Sequence, residues 1–237
     1  ESFYDLLTAV DKVNIIRSLP VESGRGEILR EETTNSNSGG MILRNVEHSR
    51  ISAPAPLNDI LQPGEMMLIE GGPGSGKSLL LRMMFGMEVP EKGYLRYCGE
   101  DLRHLQLESL RSRMYLLADV EVFTGSIRSN LLVGVDEPYP DALNSLLKEL
   151  ELLHVILSLP EGLDTELAGN GSPLSSTHLK LLMVTRCLLR DPEIVGFDGF
   201  LDTLPIRDIR RVLDLCSRRP DRSVIIASNH PEVQSRV

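Results

Sequence analysis

Gly71-Gly72-Pro73-Gly74-Ser75-Gly76-Lys77-Ser78 separates one glycine from a Gly-Lys-Ser triplet by four residues. That spacing suits a polyphosphate. Glycines let successive backbone N–H groups turn inward around phosphate oxygens, and a helix beginning at the lysine adds the partial positive charge of its N-terminus. Lys77 would reach the terminal phosphates and the Ser78 hydroxyl would sit on Mg2+. Gly72, Pro73, Gly74, Ser75, Gly76, Lys77, Ser78 and Leu79 are therefore the expected phosphate-binding stretch. A second chemical feature is Ile194-Val195-Gly196-Phe197-Asp198, an apolar run ending in a carboxylate. Asp198 would join Ser78 as a Mg2+ ligand, although an Asp after a strand is also a common cap or turn residue.

These groups need particular elements to hold them. Met66-Met67-Leu68-Ile69 reads as an apolar strand running straight into the glycine-rich turn, and Lys77 to about Met87 as the helix leaving it. Ile194–Phe197 and Val224–Ala227 are short apolar runs of the kind buried in parallel sheets. Short strands alternating with helices predict an α/β fold: a mostly parallel core sheet with helices on both faces. An antiparallel β region is expected over about Met41 to Ile69. A helical insertion is expected over about Ser126 to Ser158, with Leu143, Leu146, Leu147, Leu150 and Leu153 on one face, and another helix over Ser175 to Arg190. Phe3, Leu6, Leu7, Val10, Val13 and Ile16 predict an amphipathic helix ahead of the main domain, and residues 21 to 40, rich in Ser, Asn, Thr and Gly, a linker.

Composition narrows the function classes. The 237 residues carry a net charge of -9, with 41% hydrophobic and 25% charged residues. That balance fits a globular chain with a sizeable aliphatic core and argues against nucleic acid as a partner, since no Lys/Arg block offsets the charge. Cys98, Cys187 and Cys216 are far apart and form no CxxC pair, so neither a disulfide framework nor a zinc site is expected. No window approaches the roughly 20 apolar residues of a membrane-crossing helix. The chain begins at Glu1 and shows no signal peptide, which fits a piece of a longer polypeptide.

Further stretches carry a resemblance. Leu159-Pro160-Glu161-Gly162-Leu163-Asp164-Thr165-Glu166-Leu167, Gly171-Ser172-Pro173-Leu174-Ser175, Arg186 to Pro192 and the Asp198 strand follow one another in the order of the signature region of ABC transporter ATP-binding domains. The flavour of that region resembles exporters, and further matches are Gly93, Gly99-Glu100-Asp101-Leu102 with Ser109-Leu110-Arg111, and Val122-Phe123-Thr124-Gly125-Ser126-Ile127-Arg128-Ser129-Asn130-Leu131. The resemblance covers most of residues 41 to 229. It implies an ABC-type P-loop NTPase domain over residues 41–237, with a helical subdomain over about 118–190, and ATP and Mg2+ as cofactors. Residues 1–40 would be the amphipathic helix and linker, placed like the segment joining an exporter's membrane domain to its ATP-binding domain. An ordinary helix docked on its own domain remains an equal alternative for residues 1–20. The chain stops at Val237, so the domain is expected to be cut short at its C-terminal end. The implied partners are a second ABC-type domain, identical or not, whose ATP would face Ser175-Ser176-Thr177, and a transmembrane domain. The implied location is the cytoplasmic face of a membrane.

The sequence departs from the family where chemistry is done. Gly199 stands where the family has the general-base glutamate, and Ala118 where it has the glutamine that links Mg2+ and water to the helical subdomain. Asn229 aligns with the switch histidine, with His230 adjacent as the other possibility. Leu174-Ser175-Ser176-Thr177-His178 replaces LSGGQ, putting side chains where glycine N–H groups approach a phosphate; Ser175 or Ser176 would also serve simply as a helix N-cap. Asp202-Thr203-Leu204-Pro205 occupies the dimer-contact segment. Arg50, with His48 nearby, stands where an aromatic usually stacks on adenine, though both also suit a solvated strand end. Losing a positioned general base typically costs on the order of 100-fold to 10,000-fold in rate, whereas phosphate cradling needs only the loop and Lys77. The expected function is thus nucleotide binding in an exporter with slow or absent hydrolysis. A slow ATPase with relocated or partner-supplied groups is the alternative, with Asp119, Asp202 and His230 as substitutes. A small-molecule kinase using the same loop is a further possibility, while a GTPase is disfavoured because no N-K-x-D guanine reader is present.

Overall fold

The computed structural model describes residues 40–135 and 140–237; the expected N-terminal helix and most of the linker lie outside them. Two four-stranded sheets organise the chain. Strands β1 (Met41–Glu47), β2 (Leu57–Leu61), β4 (Lys92–Tyr97) and β5 (Glu100–Asp101) form an antiparallel sheet in the order β2-β1-β4-β5. Strands β3 (Met66–Ile69), β6 (Met114–Leu117), β9 (Ile194–Asp198) and β10 (Ser223–Ala227) form a parallel sheet in the order β3-β10-β9-β6. The antiparallel region therefore differs from the stretch 41–69. It draws in β4 and β5 from beyond the glycine-rich turn, and β3 joins the parallel sheet instead.

Central strands β9 and β10 are apolar and buried on both faces, which parallel packing under helices requires. The parallel sheet is covered by α1 (Lys77–Met84), α2 (Leu107–Arg113), α6 (Ser176–Leu189) and α7 (Ile206–Cys216), with α1 against β9 and β10 and α2 against β6. Leu79, Leu81, Met83 and Met84 of α1 pack with the antiparallel sheet in one core, while α6 and α7 join β9 in another.

Between β6 and β9 the chain makes a largely helical excursion: a two-residue β7 (Gly125–Ser126), then α3 (Ile127–Leu131), α4 (Pro140–Glu149), α5 (Leu153–Leu157) and a short β8 (Glu166–Leu167) before α6. The expected helical insertion over 126–158 thus comprises, among the described residues, three helices. Pro140 opens α4, as its missing N–H allows at a helix start, and Glu151 takes φ +55 between α4 and α5, a left-handed turn that ends regular helix. Leu143, Leu147 and Leu150 are buried, so the apolar face is real although the helix is broken.

Candidate functional site

Strand register aligns the chemistry at one edge. Ala227 pairs with Ile69 on one side and Asp198 on the other, so β3, β10 and β9 all end at the same level of the sheet. The segments leaving them meet there, the usual place for a ligand in such sheets.

From β3 the chain enters the loop 71–76 and then α1. Gly76 is the N-cap at φ +94, and a Cβ there would lie 2.7 Å from the Arg50 carbonyl oxygen and 2.9 Å from Ile51 Cα. Only glycine fits both the left-handed conformation and that contact. Ser52 N–H donates to the Ser75 carbonyl at 3.0 Å, so residues 50–52 lie against the loop. The first bond of α1 runs from Leu80 N–H to the Gly76 carbonyl, leaving the N–H groups of Lys77, Ser78 and Leu79 ahead of it as free helix-end donors. Leu79's side chain is buried in the core, so its share in a phosphate site is confined to that N–H. The Lys77 ammonium donates to the carbonyls of Gly71 at 2.5 Å and Gly72 at 3.2 Å.

Ser78 Oγ donates to Asp198 Oδ1 at 2.8 Å, bringing two residues 120 positions apart into one cluster. A hydroxyl and a carboxylate oxygen side by side are the protein share of a typical Mg2+ site, which takes its remaining ligands from water and phosphate. Among the described residues no group of three or more His, Cys, Asp or Glu could hold a metal without such help. Ser75 Oγ is buried without a hydrogen-bond partner, and the positions where Gly72 and Gly74 would carry a Cβ are open space. A helix end with free donors, an ammonium, an unpartnered buried hydroxyl and an open rim fit a Mg-nucleotide polyphosphate.

Past β10, Asn229 and His230 separate. Asn229 Nδ2 donates to the Gly71 carbonyl at 3.0 Å. His230 caps α8 (Pro231–Gln234), its Nδ1 accepting the Glu232 N–H at 3.2 Å. Ser228 Oγ donates to Asp202 Oδ1 at 2.5 Å and accepts the His230 N–H. Gly199 adopts φ +61, and a Cβ built there would meet only Asp202 Oδ2, at 3.9 Å. Ala118 and Asp119 are exposed after β6 and line, with Arg82, Tyr115, Arg186 and Asp198, a cleft of about 420 Å³.

The remaining expected residues are more scattered. Ser175 is the N-cap of α6, its Oγ accepting the His178 N–H at 3.2 Å; Ser175 and Ser176 are exposed. Arg50 is exposed beside the loop, while His48 is nearly covered, its Nδ1 accepting the Arg50 N–H and lying 3.6 Å from Glu91.

Sequence reasoning missed Lys180. Its ammonium, on α6, donates to the Phe200 carbonyl at 2.6 Å and Thr203 Oγ1 at 2.7 Å, and lies 4.6 Å from the Phe200 ring centre. It pins the segment after Asp198 to the helix headed by Ser175, and desolvation pulls its pKa below the usual lysine value. A lone lysine in a helix gives no signal of this. Arg186 was singled out only as part of a motif. Its guanidinium is buried and donates to the carbonyls of Asn130 at 2.6 Å and Glu121 at 2.9 Å, tying α6 to the 121–130 segment.

A strand–glycine loop–helix unit, a carboxylate from a neighbouring parallel strand, a flanking antiparallel sheet and a helical excursion define a P-loop nucleotide-binding domain of the ABC type. A family model described as ABC transporter matches residues 56–200, more than half of the chain, and the chain belongs to that family. It is similar to the mitochondrial iron-sulfur clusters transporter ABCB7 of Homo sapiens, 32% identical over 142 residues, which cover 60% of this chain and 19% of that protein. It is also similar to the ATP-dependent lipid A-core flippase of Alkalilimnicola ehrlichii, 32% identical over 66% of this chain and 27% of that protein. A solved bacterial Atm1-family ABC exporter with ATP bound shares the fold at TM-score 0.75 and 23% identity, over 94% of this chain and 40% of that one. The matched part thus spans about a fifth of the curated relatives first matched. Among the described residues no helix is long and apolar enough to cross a membrane.

Proposed function

We propose that this chain is the ATP-binding domain of an ABC-type exporter, binding Mg-ATP and coupling nucleotide-dependent pairing to transport, with hydrolysis slow or absent. The observation carrying this reading is the Ser78–Asp198 pair at 2.8 Å beside a loop whose helix end offers free N–H donors. The loop N–H groups and Lys77 bind and orient the phosphates. Ser78 and Asp198 would hold Mg2+, which when bound neutralises phosphate charge. Gly199 has no side chain to take a proton from water, Ala118 offers only a methyl group, and His230 Nδ1 is engaged in its cap. The domain would span 41–237 with its helical subdomain at about 118–190, residues 1–40 leading toward a transmembrane domain at the cytoplasmic face of the membrane. Ser175-Ser176-Thr177 would face the ATP of a second ABC-type domain. Relatives described as transporters, and a flippase described as ATP-dependent, support export.

The test is thermal unfolding with Mg-ATP: a ligand at 100 times its dissociation constant stabilises by roughly 2.7 kcal/mol. We expect an upward shift in the parent and its loss in Lys77→Ala. An unshifted parent contradicts the reading.

One observation favours a second reading, slow hydrolysis through a relocated carboxylate: Asp202 Oδ2 lies 3.9 Å from where a side chain on residue 199 would begin. Phosphate release that disappears in Asp202→Asn, with ATP binding retained, would select it.

A further inference from the structure

Asn229 stands at the aligned switch position, yet its carboxamide nitrogen donates to protein backbone. Nδ2 donates to the Gly71 carbonyl at 3.0 Å, and the same oxygen accepts the Lys77 ammonium at 2.5 Å. A carbonyl has two lone pairs, and these two donors occupy both. Gly71 opens the loop two residues after β3, so its carbonyl direction sets how the following N–H group is presented. Left unheld, that oxygen could turn toward the phosphate space and repel an anion.

The support behind Asn229 is itself rigid. Ala227 is paired on both sides, to Ile69 and Asp198, and Ser228 Oγ is bonded to the Asp202 carboxylate. Two residues beyond a doubly paired strand end, the Asn229 backbone has little freedom to swing toward a third phosphate. The other aligned positions that would read a third phosphate or its attacking water hold Gly199 and Ala118, which carry no polar side-chain group. The loop N–H donors, by contrast, serve the phosphates shared by di- and triphosphates, and Lys77 on its flexible stem can follow whichever phosphate is terminal.

We propose that Asn229 is a positioning residue for the phosphate loop, acting through the Gly71 carbonyl, and that nucleoside di- and triphosphates consequently bind with closely similar affinity. The proposal rests on the nucleotide-binding reading above and assigns Asn229 to the loop backbone instead of the terminal phosphate.

Titration calorimetry of the whole chain with Mg-ATP and with Mg-ADP tests it, in the parent and in Asn229→Ala. The expected parent dissociation constants agree within about threefold. Asn229→Ala should weaken both nucleotides by a common factor of about fivefold, the equivalent of one neutral hydrogen bond. A structural role alone would lower the nucleotide-free melting temperature without moving either constant; Asn229 is exposed, so that temperature should barely change. Loss confined to ATP would show that Asn229 reads the terminal phosphate and would overturn the proposal, as would unchanged constants or parent binding of ATP tenfold tighter than ADP. Absence of binding by either nucleotide in the parent would remove the nucleotide-binding reading and this proposal with it, an outcome distinct from ATP-selective loss.

Discussion

Replacing Gly199 is the most informative perturbation, because this residue is both the position proposed for the missing general base and a left-handed one. At φ +61 an L-residue costs about 1–2 kcal/mol, offset by about 0.4–1 kcal/mol from the reduced freedom of the unfolded chain. No steric clash adds to this, since the sole neighbour of a built Cβ is Asp202 Oδ2 at 3.9 Å. Gly199→Ala should therefore lose about 1 kcal/mol, or about 2–4 °C in melting temperature for a chain of this size. Gly199→Glu should lose more, since its carboxylate enters beside Asp202 and Asp198. A well-placed base alone is worth about 100-fold to 10,000-fold in rate, but groups that act as a unit are strongly non-additive. With Ala118 and Asn229 unchanged and the new side chain leaving from a left-handed backbone, we predict a gain below about tenfold for Gly199→Glu. The assay is steady-state phosphate release, with melting curves, for the parent, Gly199→Ala, Gly199→Glu and Gly199→Glu combined with Ala118→Gln and Asn229→His. A Gly199→Ala protein melting at or above the parent would refute the backbone argument. A 100-fold rise in Gly199→Glu alone would refute the claim that several defects act together.

Other outcomes follow from burial and pairing. Arg186→Met should cost about 3 kcal/mol, because it strands the carbonyls of Asn130 and Glu121 without their buried donor; melting should fall by about 6–12 °C. In the native chain Cys187 and Cys216 should resist thiol reagents at pH 8: burial pushes Cys216 up to about 12 and Cys187 well above the usual thiol value, so rapid labelling of either would contradict their burial. Hydrogen bonds from Arg103, Arg128, Arg219 and Arg210 hold Asp101, Asp164, Asp221 and Glu232 below their ordinary values. Their contribution is complete above the unfolded-chain values near pH 4 and disappears as pH falls through the lower folded ones, so melting temperature should hold through neutrality and drop below about pH 4. A flat profile down to pH 3 would show that these pairs contribute nothing.

Much of the site was legible because its chemistry is local. A loop of glycines between an apolar strand and a helix declares its geometry within eight residues, and an apolar run ending in Asp198 announces a strand-end carboxylate. The α/β class followed from the alternation of short buried strands and helices. What local pattern could not decide depends on strand register. Only the β3-β10-β9 alignment brings Ser78 to Asp198, 120 positions away, and Asn229 to Gly71, 158 positions away. Asn229 and His230 are neighbours in sequence, yet one turns to the loop and the other caps a helix, because α8 begins at Pro231. The apolar periodicity of 126–158 is equally compatible with one helix or three; backbone conformation at Glu151 and the start at Pro140 decided for three. Gly199 reads from sequence as a missing side chain. The fold gives it a backbone conformation that a side chain would strain, in a turn whose Gly199 N–H is bonded to the Ala227 carbonyl of β10 and whose Phe200 and Thr203 are held by Lys180.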